Sequence, residues 1–462
     1  MIPFIFILII VLYGYVFSYI FIKNITLIER ASIGFGMGLL IYSFTLFGFL
    51  ISDIPITSKI SLISITPLIL LFFIPGVRNT FIVELKKIYN KRLTLYKEFA
   101  NNHFILFAGL IAIFLLMITA FWPISDWDAL TLYDFRGKYL AEGYTLTDLH
   151  ELDMYDTYNQ GYYFSYPPFT SLIHASFYSI GLDKPQLIYP FLLFALTVFI
   201  FISLKSFIER KLAYIFSGML LISTIYLNHA SIPYTNLIYI YYYFISSILL
   251  LKYLSSTKKS LGALIVSGIF LAGASWARFI EPFYIVNIFL MLWALLSKKL
   301  SLVKFTFFIG PIIFLRIMWA QVVKIYSVSS FLSNINYINL INKFFSLDPE
   351  LVKLSIGAIT GLISNHLIIF SILSVITMLY FINPDVKKNQ FIKLLLILIY
   401  ANFALLVFGT LVIGILIPGR TEIYSSLERV GIMLYPFILF TTALLFGALF
   451  KKIPIRSQSF LP

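Results

Sequence analysis

The sequence contains no cysteine, only five histidines and, for its 462 residues, few charges: 12% are Asp, Glu, Lys or Arg. The missing cysteines exclude disulfides, thiolate zinc sites and iron–sulfur clusters. Five scattered histidines without paired spacing give no dedicated histidine metal centre. The shortage of charge excludes an ordinary soluble domain, in which about a quarter of the residues are charged. Short segments of alternating polarity are also lacking, which argues against a membrane barrel. In their place stands apolar sequence, 60% of the chain with a mean hydropathy of +0.94. It recurs in runs of about 15 to 25 residues, long enough at about 1.5 Å per residue to cross a hydrocarbon core of roughly 30 Å.

The formal charge of +14 raises the question of nucleic acid. The basic residues, however, sit in short clusters between apolar runs, the pattern by which membrane proteins set their topology, so no nucleic-acid partner is expected. The expected fold is an all-α integral membrane protein of about thirteen transmembrane helices, residues 1–462 forming one polytopic domain with no soluble domain. The expected spans include 2–22, read as a retained span because no basic residue precedes it and no cleavage signal follows, and 60–76, 212–228 and 353–381. Taking the segment from Arg78 to Glu98 as cytoplasmic puts most of the 34 basic residues on that side and most of the 20 acids on the other. The extracytoplasmic side then receives a long acidic and aromatic loop, 122–184, a second loop, 320–352, a turn at 277–281 and a loop at 417–429.

The first loop opens with FWPISDWDALTLYDFRGKYL, which places Asp126, Asp128 and Asp134 just beyond a span. Good helix formers follow from Ala129, so Asp128 serves either as the cap of a short helix or as a carboxylate facing a cavity. Later comes YYFSYPPFTSLIHASFYSIG, in which the pair Pro167 and Pro168 ends one element and starts an amphipathic stretch too short to span. The plain reading of that stretch is an interfacial helix held by aromatic residues.

Together these segments resemble the membrane glycosyltransferases of the GT-C superfamily, most closely the branch of protein O-mannosyltransferases and aminoarabinose transferases of lipid A. Asp128, Ala129 and Tyr133, then Tyr166, Pro167 and Pro168, match an Asp-Ala or Asp-Glu followed by Tyr and, later, a Tyr-Pro-Pro or His-Pro-Pro. Asn236 stands where the family often has a second acid. Arg278 with Glu281, and Arg429 ahead of Pro436, match further motifs at the mouths of later spans.

The resemblance implies transfer of a sugar from a polyprenyl-phosphate-linked donor to a hydroxyl of lipid, glycan or protein, at the extracytoplasmic face of the cell membrane. An acceptor hydroxyl needs a base, for which Asp128 is the first candidate and Asp126 the second. A leaving phosphate needs cations; Arg278, Arg429 and Lys138 are the candidates, Arg for its planar two-donor fork. Arg278 could instead pair with Glu281, one helical turn away. His174 could bond substrate or be structural. Tyr133, Tyr166, Pro167 and Asn236 complete the expected binding set. A transporter or flippase of lipid-linked saccharides is the alternative, and whether a divalent ion assists is left open.

Overall fold

The computed structural model describes residues 2–22, 25–71, 73–90, 103–155, 162–164, 166–257, 259–278, 283–326, 342, 346, 349–416 and 431–450. Every described element is helical, as solid apolar runs require: in hydrocarbon each backbone N–H and C=O must find its partner within its own segment. In chain order come α1 (Ile2–Ser18), α2 (Leu27–Ile51), α3 (Ser58–Ile63), α4 (Thr66–Leu71), α5 (Pro75–Asn90) and α6 (His103–Phe121). The long loop then holds a π-helix (Ala129–Asp134), α7 (Phe135–Ala141), α8 (Leu146–Tyr155) and α9 (Phe169–Ser179). They are followed by α10 (Ile188–Lys205), α11 (Arg210–Leu221), α12 (Thr224–Ser231), α13 (Thr235–Ser255), α14 (Leu261–Ala277), α15 (Tyr284–Leu296) and α16 (Leu302–Ile325). The rest are α17 (Pro349–Asn365), α18 (Leu367–Ile382), α19 (Pro384–Lys387), α20 (Gln390–Leu416) and α21 (Leu434–Phe450).

Among the described residues, 5 helices are long and apolar enough to cross a membrane, or up to 7 if each of two bent pairs counts as one span. Shorter apolar helices add to these, so the chain has the make-up of a multi-pass membrane protein. Three expected spans are not continuous helices. Residues 60–76 divide among α3, α4 and the start of α5; Pro67 and Pro75 lack an N–H to continue a ladder and disfavour helix in the residue before them. Residues 212–228 fall on α11 and α12, which meet at 58°, and 353–381 break at His366 between α17 and α18.

The bundle begins with a close pair. A Cβ on Gly14 of α1 would lie 1.8 Å from the Gly34 carbonyl oxygen, and one on Gly38 of α2 would lie 2.0 Å from the Ile10 carbonyl oxygen. Small residues four apart let membrane helices approach backbone to backbone. At the centre stands α13, 94% of whose apolar window is buried. Its run Tyr239 to Tyr243 is packed inside the bundle, and each buried hydroxyl of the last three finds a backbone partner, since an unpaired one is costly there. Tyr242 donates to the Gly36 carbonyl at 2.6 Å and Tyr243 to the Phe283 carbonyl at 3.0 Å. The Tyr241 hydroxyl accepts from the Gly36 amide at 3.0 Å and donates to the Ser32 carbonyl.

The loop is folded onto this bundle. Helix α9 was expected to lie at the membrane interface, but Phe169 to Phe177 are all buried against protein. Phe177 meets Phe6 of α1 edge-on at 5.2 Å, Phe169 meets Tyr242 of α13 at 5.8 Å, and Ser179 is hydrogen-bonded to Ser61 of α3 at 2.7 Å. Its amphipathic face is therefore covered by helices rather than by lipid.

Candidate functional site

The helix expected from Ala129 is present, but its first turn is a π-helix, a form that concentrates at functional sites. Asp128 occupies the N-cap position with helical backbone angles (φ −60, ψ −34) and makes no side-chain cap bond, because a cap needs an extended residue there. Asp126 contributes its carbonyl, which accepts from the Leu130 amide at 2.8 Å. Both aspartates are half-buried. Asp128 precedes Tyr133 of the π-helix by five residues.

Asp134 ends the π-helix fully buried. The Tyr178 hydroxyl donates to its Oδ1 at 2.5 Å, His174 Nδ1 lies 3.3 Å from the same oxygen, and Lys138 Nζ lies 2.9 Å from Oδ2. Tyr189 of α10 approaches the far side of the His174 ring at 3.5 Å. Burial alone would raise the carboxyl pKa, but the His174 imidazole, the Tyr178 hydroxyl and Lys138 outweigh it and hold Asp134 at about 2. The same carboxylate pushes the Tyr178 phenol further up, adding to the effect of its burial. Lys138, a candidate for the phosphate, and His174, read as substrate-binding or structural, both lie against Asp134 and join α7 to α9. Gly137 permits that fit: a Cβ there would lie 2.6 Å from the His174 Cβ.

A depressed carboxyl pKa contributes stability that is complete above the unfolded value of 3.8 and is lost as pH falls toward about 2. Relative to an Asp134→Asn protein, the native protein is expected to lose about 2 kcal/mol of stability between pH 5 and pH 2. Thermal unfolding in detergent across that range checks this; parallel curves for the two proteins would refute it.

Arg136 follows directly, with 1% of its surface exposed. Its Nε donates to Ser171 Oγ at 2.8 Å, Nη1 to the carbonyls of Tyr163 (2.5 Å) and Tyr166 (2.9 Å), and Nη2 to that of Pro167 (3.2 Å). One guanidinium thereby holds the Tyr-Pro-Pro turn in place from inside. Pro167 is buried and acts through its carbonyl, while the Tyr166 ring is left half-exposed.

That ring joins the two halves of the site. Tyr133 lies 6.2 Å away centre to centre, and the Arg278 guanidinium lies 5.6 Å from its centroid, within cation–π range. Arg278, just past the end of α14, donates from Nη1 to Thr235 Oγ1 at 3.2 Å and to Asn236 Oδ1 at the start of α13. The Tyr133 hydroxyl is bonded to the same Thr235 oxygen at 3.2 Å. Four expected residues from four separate stretches, Tyr133, Tyr166, Asn236 and Arg278, therefore meet at one place, with Thr235 as an unforeseen fifth. Glu281 and Arg429 lie outside the described residues, as does most of the loop 320–352. Among the described residues, no three His, Asp or Glu side chains gather as metal ligands would.

Three charged residues were not among the expected site residues. Asp134 was overshadowed by Asp126 and Asp128, although Lys138 stands four residues after it, the spacing of a helical ion pair. Arg136 had no pattern to distinguish it. Arg316 had one: it interrupts the apolar run FFIGPIIFLRIMWA of α16, and a charge within a membrane span marks a functional site by default. Comparison of the chain with protein-family models, curated proteins and solved structures finds no match.

Proposed function

We propose that the chain is a membrane glycosyltransferase that moves a sugar from a polyprenyl-phosphate-linked donor to a hydroxyl of lipid, glycan or protein at the extracytoplasmic face of the cell membrane. The observation that supports this reading is the meeting of Arg278 with Tyr166, Tyr133, Thr235 and Asn236. It combines a permanent cation for phosphate with aromatic faces and polar groups suited to a sugar. Asp128, five residues before Tyr133, supplies the base. In the reaction the acceptor oxygen bonds to the anomeric carbon as the bond from that carbon to the phosphate oxygen breaks. The acceptor proton goes to Asp128, and the electron pair leaves on the phosphate, where Arg278 meets the charge.

A transporter of lipid-linked saccharides is the second reading, and one feature favours it: α13 carries buried polar contacts along its length, Tyr243 to Asn402 at 3.0 Å and Ser247 to Asn287 at 3.3 Å. Polar side chains within a bundle mark pathways as well as bonding helices together. Incubating the purified protein in nanodiscs with a panel of polyprenyl-phosphate and polyprenyl-diphosphate sugars and hydroxyl acceptors separates the two. Release of the polyprenyl carrier as its phosphate or diphosphate, with a glycosylated product, is expected. No turnover of any donor, with protein-dependent movement of labelled donor across vesicle membranes, would replace the enzyme by the transporter.

A further inference from the structure

We propose that Arg316 and Arg278 form one membrane-embedded site for a lipid diphosphate, so that the carrier of the sugar is attached through two phosphates rather than one. The identity of the donor rests on the glycosyltransferase reading; the binding site does not. Arg316 lies nine residues before the end of α16, about 14 Å along the helix axis. Its neighbours Ile313, Phe314 and Ile317 are exposed, as lipid-facing residues are. The Arg316 side chain turns inward instead: Nε donates to Ser275 Oγ on α14 at 3.0 Å, and the guanidinium lies 4.3 Å from the centre of the Tyr284 ring on α15. Ser275 is three residues before Arg278, the residue that caps α14, so both arginines are anchored at the same end of that helix.

The groups beside them are chiefly donors. Asn236 is 4% exposed; its Oδ1 is held by Arg278, and its Nδ2 makes no hydrogen bond to any described residue. A buried amide donor without a partner costs free energy unless a ligand accepts from it. Two guanidiniums, that amide and the hydroxyls of Thr235 and Ser275 suit an anion rich in oxygen. A sugar phosphodiester brings one ionised phosphate, which Arg278 can meet alone. A diphosphate brings two, and the second would fall to Arg316, while the apolar carrier continues along the exposed face of α16. The exposed apolar residues beside Arg316, Ile313, Phe314 and Ile317, favour a lipid ligand over a soluble polyphosphate.

The test is binding to the purified full-length protein in nanodiscs, with farnesyl diphosphate, farnesyl monophosphate and inorganic pyrophosphate as probes. Farnesyl diphosphate is expected to bind about tenfold or more tightly than the monophosphate, the worth of one charge-assisted contact. Arg316→Gln should erase that preference and leave monophosphate binding unchanged, whereas Arg278→Gln should weaken both. Arg316→Lys, which keeps the charge without the fork, should retain part of the preference and serves if the glutamine variant does not fold. Equal binding of the two farnesyl probes, or an undiminished preference in both Arg316 variants, would overturn the proposal. Pyrophosphate binding as tightly as farnesyl diphosphate would overturn the lipid assignment. A diphosphate preference without sugar transfer from any donor would sink the enzyme reading and leave this site standing.

Discussion

An Asp128→Asn protein is expected to transfer sugar about 10²–10⁴-fold more slowly than the native one, the range that a positioned general base contributes. Folding and donor affinity should change little. Asp128 is half-buried, and an amide of the same shape in its place removes a proton acceptor without opening a cavity. Tyr166 and Arg278, to which donor binding is assigned, are held by other groups. The readouts are single-turnover transfer and equilibrium binding of a polyprenyl-phosphate probe. Asp126→Asn is the control, since the recorded part of Asp126 in the helix start is played by its carbonyl, and it should retain most activity. Full activity in Asp128→Asn with loss in Asp126→Asn would exchange their roles; full activity in both would remove the base from this loop.

The second large effect is expected at Arg136. Truncation to Ala strands the buried Ser171 hydroxyl and three carbonyls at once, each previously matched by a guanidinium N–H. Buried polar groups left unpaired cost about 1–3 kcal/mol each, and the site cannot admit water to all of them equally, so a loss of about 3–5 kcal/mol is expected. Lysine should rescue little of this, because a single ammonium cannot reproduce donors from three nitrogens in one plane. Yield and thermal unfolding of Arg136→Ala and Arg136→Lys in detergent provide the check. If either variant unfolds within a degree or two of the native protein, the guanidinium is not what holds the Tyr-Pro-Pro turn.

The helical class and the general run of apolar segments were legible because a spanning helix leaves a one-dimensional mark, its length. Breaks were less legible: Pro67 and Pro75 are visible in the sequence, but a proline bends some membrane helices and ends others, and only packing decides which. In the loop, Tyr133, Tyr166, Asn236 and Arg278 could be chosen from separate stretches because residue chemistry and order along the chain both pointed to them. The contact of Lys138 and His174 with Asp134 was not legible, for one shared reason. Three aspartates lie within nine residues, and sequence alone does not reveal that Asp134 is the buried one that draws both cation and imidazole. Similarly, the hydrophobic stretch of α9 has the pattern of a helix lying on a membrane, and that pattern is the same whether lipid or protein covers the apolar face.

One contact described in the fold has a consequence for the order in which the molecule is made. In an uninterrupted helix the Gly36 amide and the Ser32 carbonyl pair with each other. Here the Tyr241 hydroxyl bonds both groups, accepting from one and donating to the other. Tyr241 lies 205 residues after Gly36. During synthesis α2 therefore enters the bilayer before the side chain that bonds its Gly36 amide and Ser32 carbonyl exists, and these contacts form only when more than half of the chain has been translated.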